Sequence, residues 1–140
     1  LWNDGWDGYS AARSRLVQSL RQPSVRNPVV LGGDVHENWV GHVKADYERP
    51  ASANVGVEFC GTSITSRTSS INAKVAERLA KNPHFVFSEA ESRGYGIAEF
   101  TPGQLVTTLR VVDDVTKRDS GVRTLARFAV ESGRPAVERA

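Results

Sequence analysis

Two residues of metal-ligating type, Asp34 and His36, follow a pair of glycines at the end of a short apolar run. The run, residues 29–31, is mostly β-branched and is entered through Pro28, which is typical of a buried strand. On an extended chain, side chains two residues apart leave on the same side, so the carboxylate and the imidazole converge. This pair of donor types suits iron, manganese or zinc. The pattern therefore indicates a metal site formed by Asp34 and His36.

Both residues also have a simpler structural interpretation. The spacing of apolar residues after His36 predicts a short helix over residues 37–45. Asp34 then serves as the N-cap of that helix, a position that aspartate favours. His36 becomes a half-buried, hydrogen-bonded histidine. The sequence leaves the ligand and the structural interpretations open.

Asn38 and His42 follow the pair on the same predicted helix. A metal-bound histidine usually donates its other N–H to an oxygen nearby, which makes Asn38 a candidate for orienting His36. A solvent-facing helix residue is the alternative for Asn38. His42 lies six residues after His36, so a helix directs the two rings to different sides. Cys60 ends a predicted strand and is interpreted as a small buried hydrophobe rather than as a ligand.

Two further features have a chemistry suited to phosphate. Residues 61–66 leave a predicted strand and offer hydroxyl and amide groups that either hold a phosphate oxygen or form local turn hydrogen bonds. Arg93 presents a fork of donors that matches two anionic oxygens. Its alternative partners are the nearby acids Glu89 and Glu91. Both features therefore have a binding and a structural interpretation.

The rest of the chain alternates between helical and strand patterns. Apart from the run at residues 29–31 and the helix at residues 37–45, the predicted elements are a helix over residues 9–22, a strand over residues 54–60, a helix from about residue 70 to residue 81, a strand over residues 84–87, a hairpin of residues 95–101 and 104–112, and a strand over residues 122–130. Residues 131–140 are expected to fray. The pattern indicates an α/β fold.

Composition narrows the class of protein. The 140 residues are 39% hydrophobic and 24% charged, which fits one globular domain or part of one. The 18 basic and 16 acidic side chains are interspersed, so no nucleic acid is expected as a partner. The single cysteine cannot form an internal disulfide, and no apolar run is long enough to predict a transmembrane segment.

Six short motifs follow one another along the first hundred residues. They are DGWDGY (residues 4–9), LGGDVH (31–36), VEF (57–59), GTSI (61–64), NPH (82–84) and RGY (93–95). Their order and spacing resemble the carboxyl-terminal half of PhoD-type alkaline phosphatases. The resemblance implies the C-terminal part of a four-layer α/β/β/α metallophosphoesterase sandwich, a mixed sheet with flanking helices. Residues 1–131 would be the domain portion and residues 132–140 a tail.

The same resemblance implies a function. PhoD-like enzymes hydrolyse phosphate mono- and diesters at a multinuclear centre of Fe3+ and Ca2+, and they are exported from bacterial cells. Asp34 and His36 match the family as metal ligands, whereas Asn38, His84 and Arg93 become possible substrate or supporting residues. The family's other metal motifs lie upstream there and have no match here. The chain is therefore expected to be an incomplete copy that is inactive alone.

A different class of function is the alternative. The chain would then be a catalytically inert α/β module that binds a protein partner through an aromatic surface of Trp2, Trp6 and Trp39. The number of metal ligands separates the two hypotheses, because a calcium or iron site needs six or so donors. The sequence offers one convincing pair, and it does not indicate an oligomeric state.

Overall fold

The computed structural model describes residues 5–140, which form two four-stranded sheets and two α-helices. In chain order the elements are a 3-10 turn (Trp6–Gly8), α1 (Ser10–Leu20), β1 (Val29–Gly32), β2 (Asn38–Lys44), β3 (Asn54–Cys60), α2 (Asn72–Lys81), β4 (Phe85–Glu89), β5 (Arg93–Phe100), β6 (Gln104–Val112), β7 (Val122–Glu131) and β8 (Glu138–Arg139). Trp2 of the hypothetical aromatic surface lies outside the described residues. No helix of residues 5–140 is long and apolar enough to cross a membrane.

The first sheet is mixed and has the strand order β1-β3-β2-β4. β1 and β3 run parallel, with Val29 opposite Val57 and Gly32 opposite Cys60. β2 runs antiparallel to both of its neighbours, β3 and β4. The ends of β1 and β3 and the beginning of β2 therefore meet at one edge of the sheet. This edge carries Asp34, His36 and Asn38.

β2 is the main correction to the predicted elements. Residues 38–44 form a strand, so the helix predicted over residues 37–45 is wrong. The strand is central and is paired along both edges, which satisfies its backbone polar groups and buries Val40 completely. Such pairing outweighs the local spacing of Trp39 and Val43, which fits a helix as well. No helix therefore follows the Asp34 segment, and the interpretation of Asp34 as an N-cap fails.

The second sheet is an antiparallel meander of β5, β6, β7 and β8. The predicted hairpin is present: the backbone N–H of Thr101 donates to the carbonyl oxygen of Gln104 at 2.9 Å across the Pro102–Gly103 turn. Alternate residues of β6, among them Leu105 and Leu109, face inward and are buried. This is the pattern of a sheet with one face in the core.

The core lies between the two sheets. Val40, Val57 and Phe59 of the first sheet pack with an inward-facing set from the second sheet: Leu105, Leu109, Ala126, Phe128 and Val130. The ring centroids of Phe59 and Phe128 lie 6.4 Å apart. Because side chains alternate along a strand, Glu58 faces away from this core, on the side where Val17 of α1 borders a shared cavity. The order of layers is helix, sheet, sheet, which confirms the predicted α/β class with a mixed sheet and flanking helices.

The last residues of the chain lie in part against both sheets. Arg139 of β8 pairs with Phe128 of β7, and Val137 packs against the core. The backbone N–H of Val137 also donates to Nε2 of His42 at 3.2 Å. The segment expected to fray therefore makes specific contacts. The domain boundary at residue 131 stays a prediction.

Candidate functional site

A tight bend connects β1 to β2 and holds both candidate ligands. The backbone N–H of Val35 donates to the carbonyl oxygen of Gly33 at 2.9 Å, and Asp34, between them, has a φ of 73°. His36 follows with a φ of 59°. Positive φ is uncommon outside glycine, and a γ-turn with positive φ at its centre is rare and strained. Strained residues of this kind cluster at active sites and ligand-binding segments.

The bend corrects the reasoning by which Asp34 and His36 were paired. The two residues do not lie on an extended chain, so side-chain alternation does not direct them to one side. They lie instead in the turn itself, two residues apart just after the carboxyl end of β1. Asp34 is exposed and His36 is half-buried. The Asp34 carboxylate is therefore accessible from solvent.

The His36 ring is held through one of its two nitrogens. Nδ1 lies 3.2 Å from the carbonyl oxygen of Arg67. A carbonyl only accepts hydrogen bonds, so Nδ1 is the donor in this contact, and in the neutral tautomer that fits it Nε2 has the lone pair. The sequence makes Asn38 a candidate for orienting His36, whereas the ring contact in the structure is to the backbone carbonyl of Arg67. Nε2 is the nitrogen left for a ligand.

Asn38 begins β2 and is 1% exposed, so the solvent-facing alternative for it is wrong. Its Oδ1 accepts the backbone N–H of Thr62 at 3.2 Å, which ties the start of β2 to the segment that leaves β3. Its Nδ2 is buried and has no hydrogen-bond partner within residues 5–140. A buried unpaired donor of this kind is destabilising, by about 1–3 kcal/mol.

Arg93 begins β5 in the second sheet, and its guanidinium reaches the same edge. The residue is 7% exposed. Nη1 donates to the carbonyl oxygens of His36 and Ser92 at 2.7 and 2.8 Å and to the Thr62 hydroxyl at 2.7 Å. Nη2 donates to the Ala90 carbonyl oxygen at 2.8 Å. In the described part of the chain Arg93 makes no ion pair, so the alternative pairing with Glu89 or Glu91 does not form.

Residues 1–109 match the family model of PhoD-like phosphatases. The chain belongs to that family. It is 37% identical over 130 residues to alkaline phosphatase D of Bacillus subtilis (strain 168), across 91% of this chain and 22% of that protein. A solved structure of PhoD matches with a TM-score of 0.88 and 34% identity, across 98% of this chain and 26% of the solved chain. The chain thus spans about a quarter of the length of these relatives.

Glu37 lies at the same edge of the first sheet as His36 and Asn38, and the sequence did not indicate a role for it. It is 4% exposed, and its carboxylate accepts the Trp39 indole N–H at 3.0 Å and Nη1 of Arg78 at 3.2 Å. Arg78 lies on α2, so this ion pair fastens the helix beside the bend. The only signal in the sequence was an acid placed between His36 and Asn38.

The Glu37 contact also bears on the aromatic-surface hypothesis. Trp39 is half-buried, donates its N–H to Glu37 and packs on Phe85 with ring centroids 4.7 Å apart. The Trp39 side chain is therefore used in contacts within the protein. Trp6, at 54% exposure, is the tryptophan of the described residues that is open to a partner.

His84 lies at the other end of the sheet from the bend. Its carbonyl oxygen accepts the backbone N–H of His42 at 2.8 Å. His42 is four residues along β2 from Asn38, which at about 3.3 Å per residue is roughly 13 Å. Burial, followed by the nearby charge of Lys44, lowers the pKa of both histidines. The structure does not place His84 in contact with the bend.

A cavity of about 690 Å³ nevertheless links the two regions on the helix side of the first sheet. Its lining includes Val35 of the bend, Glu58 of β3 and His84. This volume is in the range of small-molecule sites. Burial raises the pKa of the Glu58 carboxyl, which has no ion-pair partner within residues 5–140. In this way His84 borders a space that extends to the bend.

Cys60 and the segment after β3 have structural roles in this arrangement. The Cys60 thiol lies 3.4 Å from the Gly33 carbonyl oxygen, and burial together with nearby acids raises the pKa of Cys60 to about 11. A thiol this weakly acidic is a poor metal ligand. The Ser63 hydroxyl donates to the Ser66 carbonyl oxygen, and the Thr62 hydroxyl contacts Arg93. Both hydroxyls are thus used within the protein.

The donor types at the bend fit a metal ion, but their number is small. A carboxylate oxygen from Asp34 and an imidazole nitrogen from His36 suit iron, manganese or zinc. Within residues 5–140, no group of three or more His, Cys, Asp or Glu side chains is placed to hold a metal ion. The described residues therefore supply part of a coordination shell.

Proposed function

We propose that this chain is the carboxyl-terminal portion of a metal-dependent phosphatase that hydrolyses phosphate mono- and diesters, and that Asp34 and His36 are metal ligands. The observation that carries the proposal is the strained bend at the carboxyl end of β1, which holds an exposed carboxylate and a histidine whose ring is anchored through Nδ1. The carboxyl ends of strands are where α/β sheets bind their ligands. Membership in the PhoD-like family supports the same reaction class.

The metals proposed are Fe3+ and Ca2+, bound with additional ligands from an upstream portion of the domain. When bound, such a centre would polarise the phosphoryl oxygen, supply a hydroxide and stabilise the leaving oxygen. Asp34 would contribute a carboxylate oxygen and His36 its Nε2. Neither residue acts as a nucleophile. Arg67 keeps the proton on Nδ1 of His36, and Asn38, Thr62 and Arg93 fix the backbone around it.

Several properties of the whole protein follow as proposals. Residues 1–131 belong to the catalytic domain, the substrate is a phosphate ester, and the protein is exported from a bacterial cell. Because the bend supplies one pair of ligands, the isolated chain should have negligible phosphatase activity on a chromogenic phosphate ester, even with iron and calcium present. Turnover that disappears with chelator would reveal a complete site within the chain and refute this incomplete-site interpretation.

Metal binding at the bend can be measured on the chain itself. Mn2+ is the probe, because its paramagnetism broadens the NMR signals of the residues that it contacts. We expect Asp34 and His36 to broaden first, and His36→Ala to abolish the effect. His42→Ala is the matched control, since His42 lies on β2 roughly 13 Å from the start of that strand. Broadening that persists in His36→Ala, or that is lost in His42→Ala, would contradict the assignment.

A further inference from the structure

We infer that Arg93 is a positioning residue, which holds the Asp34–His36 bend in its left-handed conformation and does not bind the substrate. The inference concerns the bend in the metal-free chain, and its consequence for metal binding rests on the proposed function. Sequence reasoning left Arg93 open as a ligand for an anion or as a surface ion-pair partner. The buried guanidinium, enclosed by oxygens of its own chain, favours neither.

The contacts of the guanidinium are all internal. Nη1 has three oxygens within 2.8 Å, from His36, Thr62 and Ser92, and Nη2 has the Ala90 carbonyl oxygen at 2.8 Å. At 7% exposure, Arg93 presents almost no surface to a ligand. To reach a phosphate it would have to break several charge-assisted hydrogen bonds, which are the strong ones. Its geometry is therefore that of a fixed support.

The point that Arg93 supports is the backbone of His36. The His36 carbonyl oxygen lies 2.7 Å from Nη1 of Arg93 and 3.1 Å from the Thr62 hydroxyl. The backbone N–H of Thr62 is in turn held by Asn38 at 3.2 Å. These contacts join the bend, the segment after β3 and the start of β5. A carbonyl fixed in this way prevents the peptide plane after His36 from rotating.

His36 is thereby held at two points. Arg93 fixes the backbone at the carbonyl oxygen, and the Arg67 carbonyl oxygen fixes the ring at Nδ1, 3.2 Å away. The φ of 59° between them is a conformation that a histidine adopts rarely unless its surroundings impose it. The support comes from 57 residues along the chain, in the other sheet. Removing it should let the bend relax to negative φ.

The test measures the sign of φ at Asp34 and His36 by NMR couplings on the labelled, metal-free chain. Arg93→Lys keeps the charge but replaces the planar fork with a compact ammonium, which cannot reproduce these contacts. We expect positive φ at His36 to be lost while the remaining spectrum stays that of the folded chain. Arg110→Lys is the matched control, because this arginine of β6 also donates to a hydroxyl and a carbonyl, and both of those acceptors belong to β7.

Thr62 gives a second pair of variants that avoids the buried charge. Thr62→Val removes the hydroxyl that contacts both Arg93 and His36, and it should weaken the positive-φ signature, whereas Thr62→Ser should retain it. If Arg93→Lys fails to fold, this pair decides the inference. Positive φ that survives in Thr62→Val and in any folded Arg93→Lys would overturn it.

Mn2+ titration then separates this inference from the proposed function. If both hold, Arg93→Lys should lower Mn2+ affinity at least tenfold, since residues that orient a ligand typically contribute 10- to 100-fold. If the parent chain binds no Mn2+ at the bend, the assignment of Asp34 and His36 as a metal-binding pair in the isolated chain fails, and loss of positive φ in the variants still supports the positioning role. Unchanged Mn2+ affinity in a variant whose bend has relaxed would overturn the role of Arg93 in positioning the ligands.

Discussion

Asp34→Asn separates a metal-binding role from a purely structural one, because the structure makes the two outcomes very different. Asparagine is nearly isosteric with aspartate and tolerates the positive φ of 73° equally well. With β2 following the bend, no helix depends on Asp34 as a cap. Asp34 is also exposed. The free energy of unfolding should therefore change by no more than about 0.5 kcal/mol.

The effect on metal binding should be far larger. Two unit charges about 4 Å apart interact by about 4 kcal/mol at an effective dielectric constant of about 20. That energy corresponds to roughly a thousandfold in affinity, and a carboxylate in direct contact with a divalent or trivalent ion lies closer still. Losing this charge should therefore remove most of the bound metal while the fold is retained.

The protein for the assay is a chimera, in which this chain replaces the matching segment of alkaline phosphatase D from Bacillus subtilis. Bound metal is measured by elemental analysis, turnover with a chromogenic phosphate ester and stability by thermal unfolding. We expect metal content and turnover to collapse together in Asp34→Asn at unchanged stability. An active, fully metallated Asp34→Asn enzyme would refute the ligand assignment.

Three further predictions concern stability. The Thr107 hydroxyl is buried and has no hydrogen-bond partner in residues 5–140. Thr107→Val should therefore raise the free energy of unfolding, measured by chemical denaturation, by about 1 kcal/mol. Thr108→Val, on the outer face of β6, should change it less. Because burial raises the pKa of Glu58, its protonated carboxyl contributes stability that is fully present below the ordinary pKa of 4.5 and is lost as pH rises through the raised value. Glu58→Gln should remove this loss when unfolding is measured as a function of pH. An unchanged pH profile in Glu58→Gln would contradict the prediction. Because burial lowers the pKa of His42, the folded state disfavours its protonated form. The free energy of unfolding should therefore fall as pH drops below 6.5 and through the lowered pKa. In His42→Gln this fall should be less steep.

Local sequence patterns predicted most of the elements correctly. Alternation along β3 and β6 and the helical spacing in α2 are short-range signals, and the structure forms these elements close to the predicted positions. The helix predicted in place of β2 was wrong because the spacing of Trp39 and Val43 is compatible with both a helix and a strand. What decides its conformation is pairing with β3 and β4 on both edges, and a pairing partner cannot be read from the strand's own residues.

At the site, too, short-range sequence signals did not predict the contacts between distant residues. The Asp-Val-His triplet indicated ligand-type side chains on an extended chain, whereas the structure has a turn there. The left-handed conformation of Asp34 and His36 was not predicted, because its supports come from distant parts of the sequence. The orienting carbonyl belongs to Arg67, whose contribution comes from the backbone and is independent of its residue type.

The position of Arg93 shows why such supports are hard to assign from sequence. An arginine near two acids in a charged segment suggests a surface residue, and this one is buried among backbone carbonyls at the junction of two sheets. A buried guanidinium requires acceptors in a fixed arrangement, and here the His36 carbonyl is one of them. The burial of Arg93 and the strain of the bend are thus two parts of one arrangement: hydrogen bonds to the guanidinium offset the unfavourable φ of His36, and the bend supplies an acceptor that the guanidinium needs.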